Sequence, residues 1–401
     1  MTAESRNATI RRRTFLAGAA ATTVGVVKPS LARGTSANSR VTLGLIGCGG
    51  RGNWIANLFT KTDRYRFVAL ADYFQDRVDA VGNRLEVDPA HRYTTLSGYK
   101  RLLDQKLDAV VIETPPYFHP EQAAAAVAAG KHVFVAKPIA VDVPGCMSMG
   151  ESGKRASAEK LVFLVDFQTR AHALYREAAR RIHAGDLGKI SCAECHYPWA
   201  GGGKGSPAAN PEDGLRKWYQ TLELCGDVIV EQDIHALDVA TWFLDAAPVQ
   251  ATGTGGRPLR EFGDFWDHFS VIYKFPGDVV LTHTSVKAIP GCRDEIRCRV
   301  FGGGGMAHSD YFGDVWIRGN KPFEGGTLGN LYTDGTLTNI EEFYAAVTEE
   351  KCDNPTVAPS VRSNLTAVLG REAAYRHDTV TWNEIVEADV KLEADLRGLK
   401  T

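Results

Sequence analysis

The segment Val41-Thr-Leu-Gly-Leu-Ile-Gly-Cys-Gly-Gly-Arg-Gly52 constrains the fold more than any other part of the chain. The apolar run Leu43 to Ile46 reads as a buried strand that delivers a turn in which Gly47, Gly49 and Gly52 fit G-x-G-x-x-G. Such a turn lets backbone approach a pyrophosphate closely. The helix that follows it offers unpaired N–H groups and a positive dipole end, so Gly50 and Arg51 join the three glycines as candidate phosphate contacts. A second strand, Phe67-Val-Ala-Leu-Ala-Asp72, ends in a carboxylate 20 residues beyond Gly52, where an acceptor for a ribose 2′-hydroxyl belongs. That carboxylate repels a 2′-phosphate, and the next residue is Tyr73 rather than an arginine. NAD is therefore the expected cofactor and NADP the less favoured one, with Arg77 one turn further on as the cation placed to assist a phosphate.

From Val41 to about Asp142, continuous apolar strands alternate with helical patterns, which predicts an α/β doubly wound parallel sheet. Strands are expected over 41–46, 67–71, 108–113, 132–135 and 161–165, with a helix over about 143–158 before the last. After Gln168 the pattern changes. A helix and a strand, 189–198, precede a Gly/Pro/Asn-rich loop over 200–214 and a single helix from about Val228 to Leu244. Strand patterns then dominate until two C-terminal helices, 338–349 and 361–377. The division is a dinucleotide-binding domain over 41–166 and a second α+β domain over 167–401 with a large, open, mostly antiparallel sheet. At 401 residues the chain is long enough for two full cores.

Residues 1–34 read as a targeting segment. Arg12-Arg13 forms a twin-arginine pair, a mildly apolar stretch runs from Phe15 to Val27, and Ser30-Leu31-Ala32 is a small-x-small cleavage candidate. Export of the folded protein to a periplasmic or extracellular destination is the expectation, with no membrane anchor. A net charge of −2 gives no basic footprint for nucleic acid. The eight cysteines have no disulfide-framework spacing and are expected to be mostly free and buried. Cys192-Ala-Glu-Cys195-His196 matches a haem-attachment pattern, but strand alternation turns Cys195 away from Cys192 and His196, which argues against haem.

Two constellations carry the chemistry. Lys137, in Ala136-Lys-Pro138, follows a parallel strand at the end where ligands collect in open α/β sheets, and there it can hold a substrate hydroxyl. On a continuous helix Glu231 and His235 share one face with Asp238, while Asp233 lies on another side. A carboxylate orienting an imidazole is how a general base for a hydroxyl proton is built. The rival is a divalent-metal site, although no second histidine stands at ligand spacing; no metal is expected. Thr114, Pro115 and His119 follow the strand over 108–113 at the cofactor edge. Arg170 ends the sixth strand as a candidate substrate contact, and Trp218 and Tyr219 are placed to stack on a sugar.

Taken together, these residues resemble the Gfo/Idh/MocA oxidoreductase family: the Gly47–Gly52 loop, Asp72, Thr114-Pro115 with His119, Lys137-Pro138 and Glu231-x-x-x-His235. The resemblance covers about residues 41–245. It implies a Rossmann domain, a second domain whose sheet serves homo-oligomerisation as dimer or tetramer, and a sugar, glycoside or polyol bound between the domains. It also implies that Lys137 and His235 face the substrate. Two positions depart from the family pattern, because Ala136 stands where a glutamate is usual and Glu231 where an aspartate is usual. The activity implied is oxidation or reduction of a secondary hydroxyl with NAD. An alternative using the same first step is glycoside cleavage by transient oxidation, elimination and return of the hydride.

Overall fold

The computed structural model describes residues 40–202 and 205–401. The twin-arginine segment therefore lies outside the described residues. Six parallel strands form the first sheet: β1 (Val41–Ile46), β2 (Tyr65–Ala71), β3 (Arg92–Tyr93), β4 (Ala109–Ile112), β5 (His132–Ala136) and β6 (Phe163–Asp166), in the order β3-β2-β1-β4-β5-β6. The central strands are apolar throughout because helices cover both faces: Leu43, Leu45 and every residue of β4 are buried. Strand order reverses beside β1, which opens the crevice at the carboxyl ends where dinucleotides bind.

The second sheet is mostly antiparallel, as the strand-rich pattern predicts. Its strands are β7 (Ile190–Trp199), β8 (Gln250–Gly256), β9 (His268–Lys274), β10 (Val280–Lys287), β11 (Arg297–Gly302), β12 (Gly305–Asp310), β13 (Asp314–Gly319), β14 (Phe323–Thr327) and β15 (Thr379–Thr381). They are ordered β14-β13-β12-β11-β7-β10-β9-β8-β15, and only the β7–β10 pair is parallel. Period-2 alternation sorts each strand. In β9, Phe269, Val271 and Tyr273 are buried on the face covered by the helix Val357–Arg376, while Ser270, Ile272 and Lys274 face outward. In β7, Cys195 is buried and Cys192 and His196 lie on the opposite face.

The sheet changes after Asp166, but the chain returns to the first domain near its end. Ile340, Phe343 and Val347 pack with Leu43, Phe59 and Phe134 in one core. Edge strand β6 is closed by side chains from this return: Phe163 N donates to Asn354 Oδ1 at 2.6 Å and Val165 N to Thr356 Oγ1 at 3.0 Å. Unpaired edge N–H groups are thereby satisfied without another strand.

Two expectations need correction. The loop over 200–214 contains the start of a helix, Pro211–Arg216, because Asn210 caps it through Asp213 N, Pro211 suits the first turn, and Glu212 and Asp213 suit its dipole. The single helix over 228–244 is broken into Val228–Glu231 and Ile234–Leu244. The break at Gln232-Asp233 is held by the buried Asp233 carboxylate, which lies 2.7 Å from Lys287 Nζ and 3.2 Å from His283 Nε2.

Candidate active site

The glycine turn is built as its spacing requires. Gly47 has φ +97° and lies against the backbone of Glu113 and Thr114, so a side chain there is excluded both by conformation and by space. A Cβ at Gly52 would run into the Gly47 carbonyl, whereas Gly50 opens onto free space and Gly49 meets only the end of Arg77. Backbone is thus bare on the cleft side, at the first turn of the helix Gly50–Phe59. Asp72 ends the neighbouring strand with Oδ2 accepting from Cys48 N at 2.7 Å and Oδ1 from Phe74 N at 2.9 Å. Burial pushes its pKa up, and the two backbone donors pull it back. Gly47, Gly49, Gly50, Arg51, Asp72, Thr114 and Pro115 line one cleft. A bare cradle, a fixed carboxylate and an apolar rim fit a dinucleotide.

Arg51 faces inward rather than toward the phosphate position. Its guanidinium lies 2.9 Å from Glu113, contacts Asp166, and donates to Tyr332 Oη at 2.8 Å. One cation is thus shared by two buried carboxylates at the carboxyl ends of β4 and β6. Burial pushes Glu113 up to about 7 despite Arg51. Sequence reading missed both carboxylates, since each follows an apolar strand with no motif around it.

Lys137 follows β5 and is nearly buried. Its Nζ donates to the Glu231 carbonyl at 2.7 Å and lies 3.5 Å from the Glu231 carboxylate. Burial lowers its pKa and Arg51 adds to the effect, while Glu231 opposes it. His235 sits in the first turn of the next helix, 9% exposed, with Nδ1 buried and unpartnered. Burial holds its pKa well below 6.5, and Lys137, Arg51 and Lys287 add repulsion, so the imidazole is neutral. The Tyr311 ring stands 5.5 Å away, centroid to centroid, with its hydroxyl buried and unpartnered. Lys137 contacts Glu231, His235 lies within electrostatic reach of Lys137 and of the cleft-lining Arg51, and the structure adds Tyr311 beside His235.

Other expected residues have different places. His119 faces the carbonyls of Pro138 at 2.9 Å and Thr114 at 2.7 Å, so it is a strut between two loops with no nitrogen left for a ligand. Burial outweighs those carbonyls and lowers its pKa to about 4. Thr114 donates to Gln122 at 2.6 Å. Arg170 is not free for substrate, since it forks onto Asp238 at 2.8–3.0 Å and lies 5.0 Å from the Trp242 ring centre. Asp238 accordingly does not face Glu231 and His235 as a continuous helix would place it. Trp218 and Tyr219 pack edge to face with ring centroids 5.8 Å apart; Trp218 lines the cleft beside Asp72 and Pro115, and the buried Tyr219 hydroxyl lies within electrostatic reach of Glu231. All eight cysteines are free, five of them buried. Among the described residues no helix is long and apolar enough to cross a membrane.

Residues 41–164 match the family profile described as GFO_IDH_MocA, an oxidoreductase family with an NAD-binding Rossmann fold, and residues 175–308 match the GFO/IDH/MocA C-terminal domain. The chain is 26% identical over 348 residues to inositol 2-dehydrogenase of Rhizobium meliloti, covering 84% of this chain and 96% of that protein. It is 27% identical over 255 residues to scyllo-inositol 2-dehydrogenase (NAD(+)) of Bacillus subtilis, covering 61% and 68%. The crystal structure of an oxidoreductase domain protein from Kribbella flavida shares the fold at a TM-score of 0.72 and 17% identity, over 86% of this chain and 99% of that one.

Proposed function

The chain belongs to the Gfo/Idh/MocA oxidoreductase family, and on that premise we propose that it oxidises or reduces a secondary hydroxyl of a sugar or polyol with NAD, with His235 and Lys137 as its proton-handling residues. The observation that carries this reading is the buried His235 imidazole with an unpartnered Nδ1, held neutral by burial and within electrostatic reach of Lys137 and of Arg51, which lines the glycine-built cleft. Bound NAD supplies the hydride acceptor at its nicotinamide ring. The substrate class follows the inositol dehydrogenases to which the chain is similar.

A neutral imidazole has one unprotonated ring nitrogen and through it can take the hydroxyl proton as the C–H bond breaks. The Lys137 ammonium, anchored by Glu231, is held where it can donate to the same oxygen and stabilise developing negative charge. Glu231 acts here through Lys137 rather than through His235. Tyr311 and Tyr219 present buried hydroxyls that a polyol can satisfy. The test is NADH formation at 340 nm across a panel of inositols, aldoses and simple glycosides. Turnover of none of them, by a protein that binds NAD, would refute the substrate class. Release of aglycone from a nitrophenyl glycoside without net NADH would instead favour the elimination route, which the dehydrogenase relatives leave without separate support.

The Arg12-Arg13 pair supports export by the twin-arginine route to a periplasmic or extracellular site. Replacing both arginines with lysine should retain the protein in the cell, and unchanged export would overturn the reading. Homo-oligomerisation through the second sheet is supported by its open outer face, where Ile272 is 53% exposed. Light scattering of the wild type and of Ile272→Glu tests it, and a monomeric wild type would refute it.

A further inference from the structure

We propose that the segment over 211–225 and the C-terminal residues 392–400 form a clamp that completes the adenine-binding half of the NAD cleft, with Leu215 and Trp218 covering the ring. The proposal rests on the NAD reading of the cleft. Leu215 and Trp218 belong to the second domain, yet they line the same cleft as Asp72, Leu96, Pro115 and Phe118 of the first. Asp72 marks where the adenosine ribose sits, so the apolar surfaces next to it face the base. A flat aromatic ring enclosed between Pro115, Phe118 and Trp218 loses water on both faces and gains stacking.

The cover is tied down on both sides of Asp72. Arg216 pairs with Asp76 at 2.9 Å, and its guanidinium lies 3.9 Å from the Phe74 ring centre. Tyr73, the residue after Asp72, donates to Glu212 at 2.9 Å and accepts from Lys400 N at 3.2 Å. Leu96 N donates to the Lys400 carbonyl at 3.0 Å, so the chain's end holds a residue that lines the cleft. Beneath these polar ties Phe74, Leu215 and Leu224 form a separate small core with Leu399 packed against it. The polar ties are exposed and individually weak, so the clamp can open to admit a cofactor. The apolar cover then makes release slow. Leu215 and Trp218 line the cleft beside Asp72 and Pro115, so the clamp acts on cofactor retention rather than on the chemical step.

The test uses the full-length protein and three variants, Trp218→Ala, Leu215→Ala and, as control, Arg318→Ala at an exposed position of strand β13. AMP affinity is read by calorimetry and NADH dissociation by loss of its bound fluorescence on displacement. Both clamp variants should bind AMP about tenfold more weakly and release NADH about tenfold faster, with the control unchanged on both counts. Hydrogen exchange supplies a measurement on the wild type that no folding defect can spoil: AMP should slow exchange in 211–225 and 392–400. Unchanged AMP affinity in folded clamp variants, or no AMP-dependent protection of either segment, would overturn the clamp. A wild type that binds neither AMP nor NADH would overturn the NAD reading itself, whereas one that binds both and shows no protection overturns the clamp alone.

Discussion

At the ribose and phosphate sites of the cleft, recognition is built from backbone and local sequence: a positive-φ glycine, bare Cα positions and a carboxylate fixed by two neighbouring N–H groups. At the opposite end it is built from side chains far apart in the chain. Lys137 follows β5, Glu231 and His235 flank a helix break, Tyr311 follows β12, and Arg51 bridges Glu113 and Asp166. The first end tolerates changes in side chains more than in backbone. The second depends on charge balance, because every added or removed charge there acts in a dry, low-dielectric setting. The two ends should therefore fail in different ways when altered.

The largest expected effect is at the reaction end. Lys137→Ala or His235→Ala should lower kcat/KM by about 10²- to 10⁴-fold, the usual range for a lost acid–base group, while NAD binding measured by fluorescence survives. A variant keeping more than about a tenth of the wild-type value would remove that residue from the mechanism. Arg51→Met tests charge balance in the same region. It strands two buried carboxylates, so unfolding in urea should show a loss of about 3–5 kcal/mol, far more than a surface arginine gives. A loss under about 1 kcal/mol would mean that the carboxylates are satisfied some other way.

The strut between the two ends carries a pH signature. His119 has its pKa lowered from 6.5 to about 4 in the folded state, so below 6.5 the unfolded chain binds the extra proton first. Stability from this residue is thus fully present above pH 6.5 and is lost as pH falls toward 4, by up to about 3 kcal/mol. His119→Gln should flatten the fall in Tm across that window, and an unaltered slope would rule His119 out as its source. The smallest effect belongs to the adenosine end, where Asp72→Ser removes the repulsion of a 2′-phosphate. Preference for NAD over NADP should relax by about tenfold, or roughly 1.4 kcal/mol. A wild type that binds NADP more tightly than NAD would instead show Arg77 overruling Asp72.

The sequence by itself determined the first sheet, the glycine turn, Asp72 and the strand-rich character of the second domain, because each rests on local periodicity or on glycine at a spaced turn. It also picked out Lys137, Glu231 and His235 as chemistry-bearing residues, and resemblance to a known family supplied their roles. Only the tertiary structure decided what those residues face. A continuous helix predicted Asp238 beside His235, but Asp233 found Lys287 and His283 on β10, 50 or more residues away, and broke the helix at that point. The Arg170 that looked free was claimed by Asp238, and Trp218, rather than its neighbour Tyr219, was turned to line the cleft beside Asp72. Partners of buried charges and the direction of an irregular turn depend on contacts distant in sequence, and no short-range pattern encodes them. That is why the backbone-built end of this cleft could be read from the chain and the side-chain-built end could not.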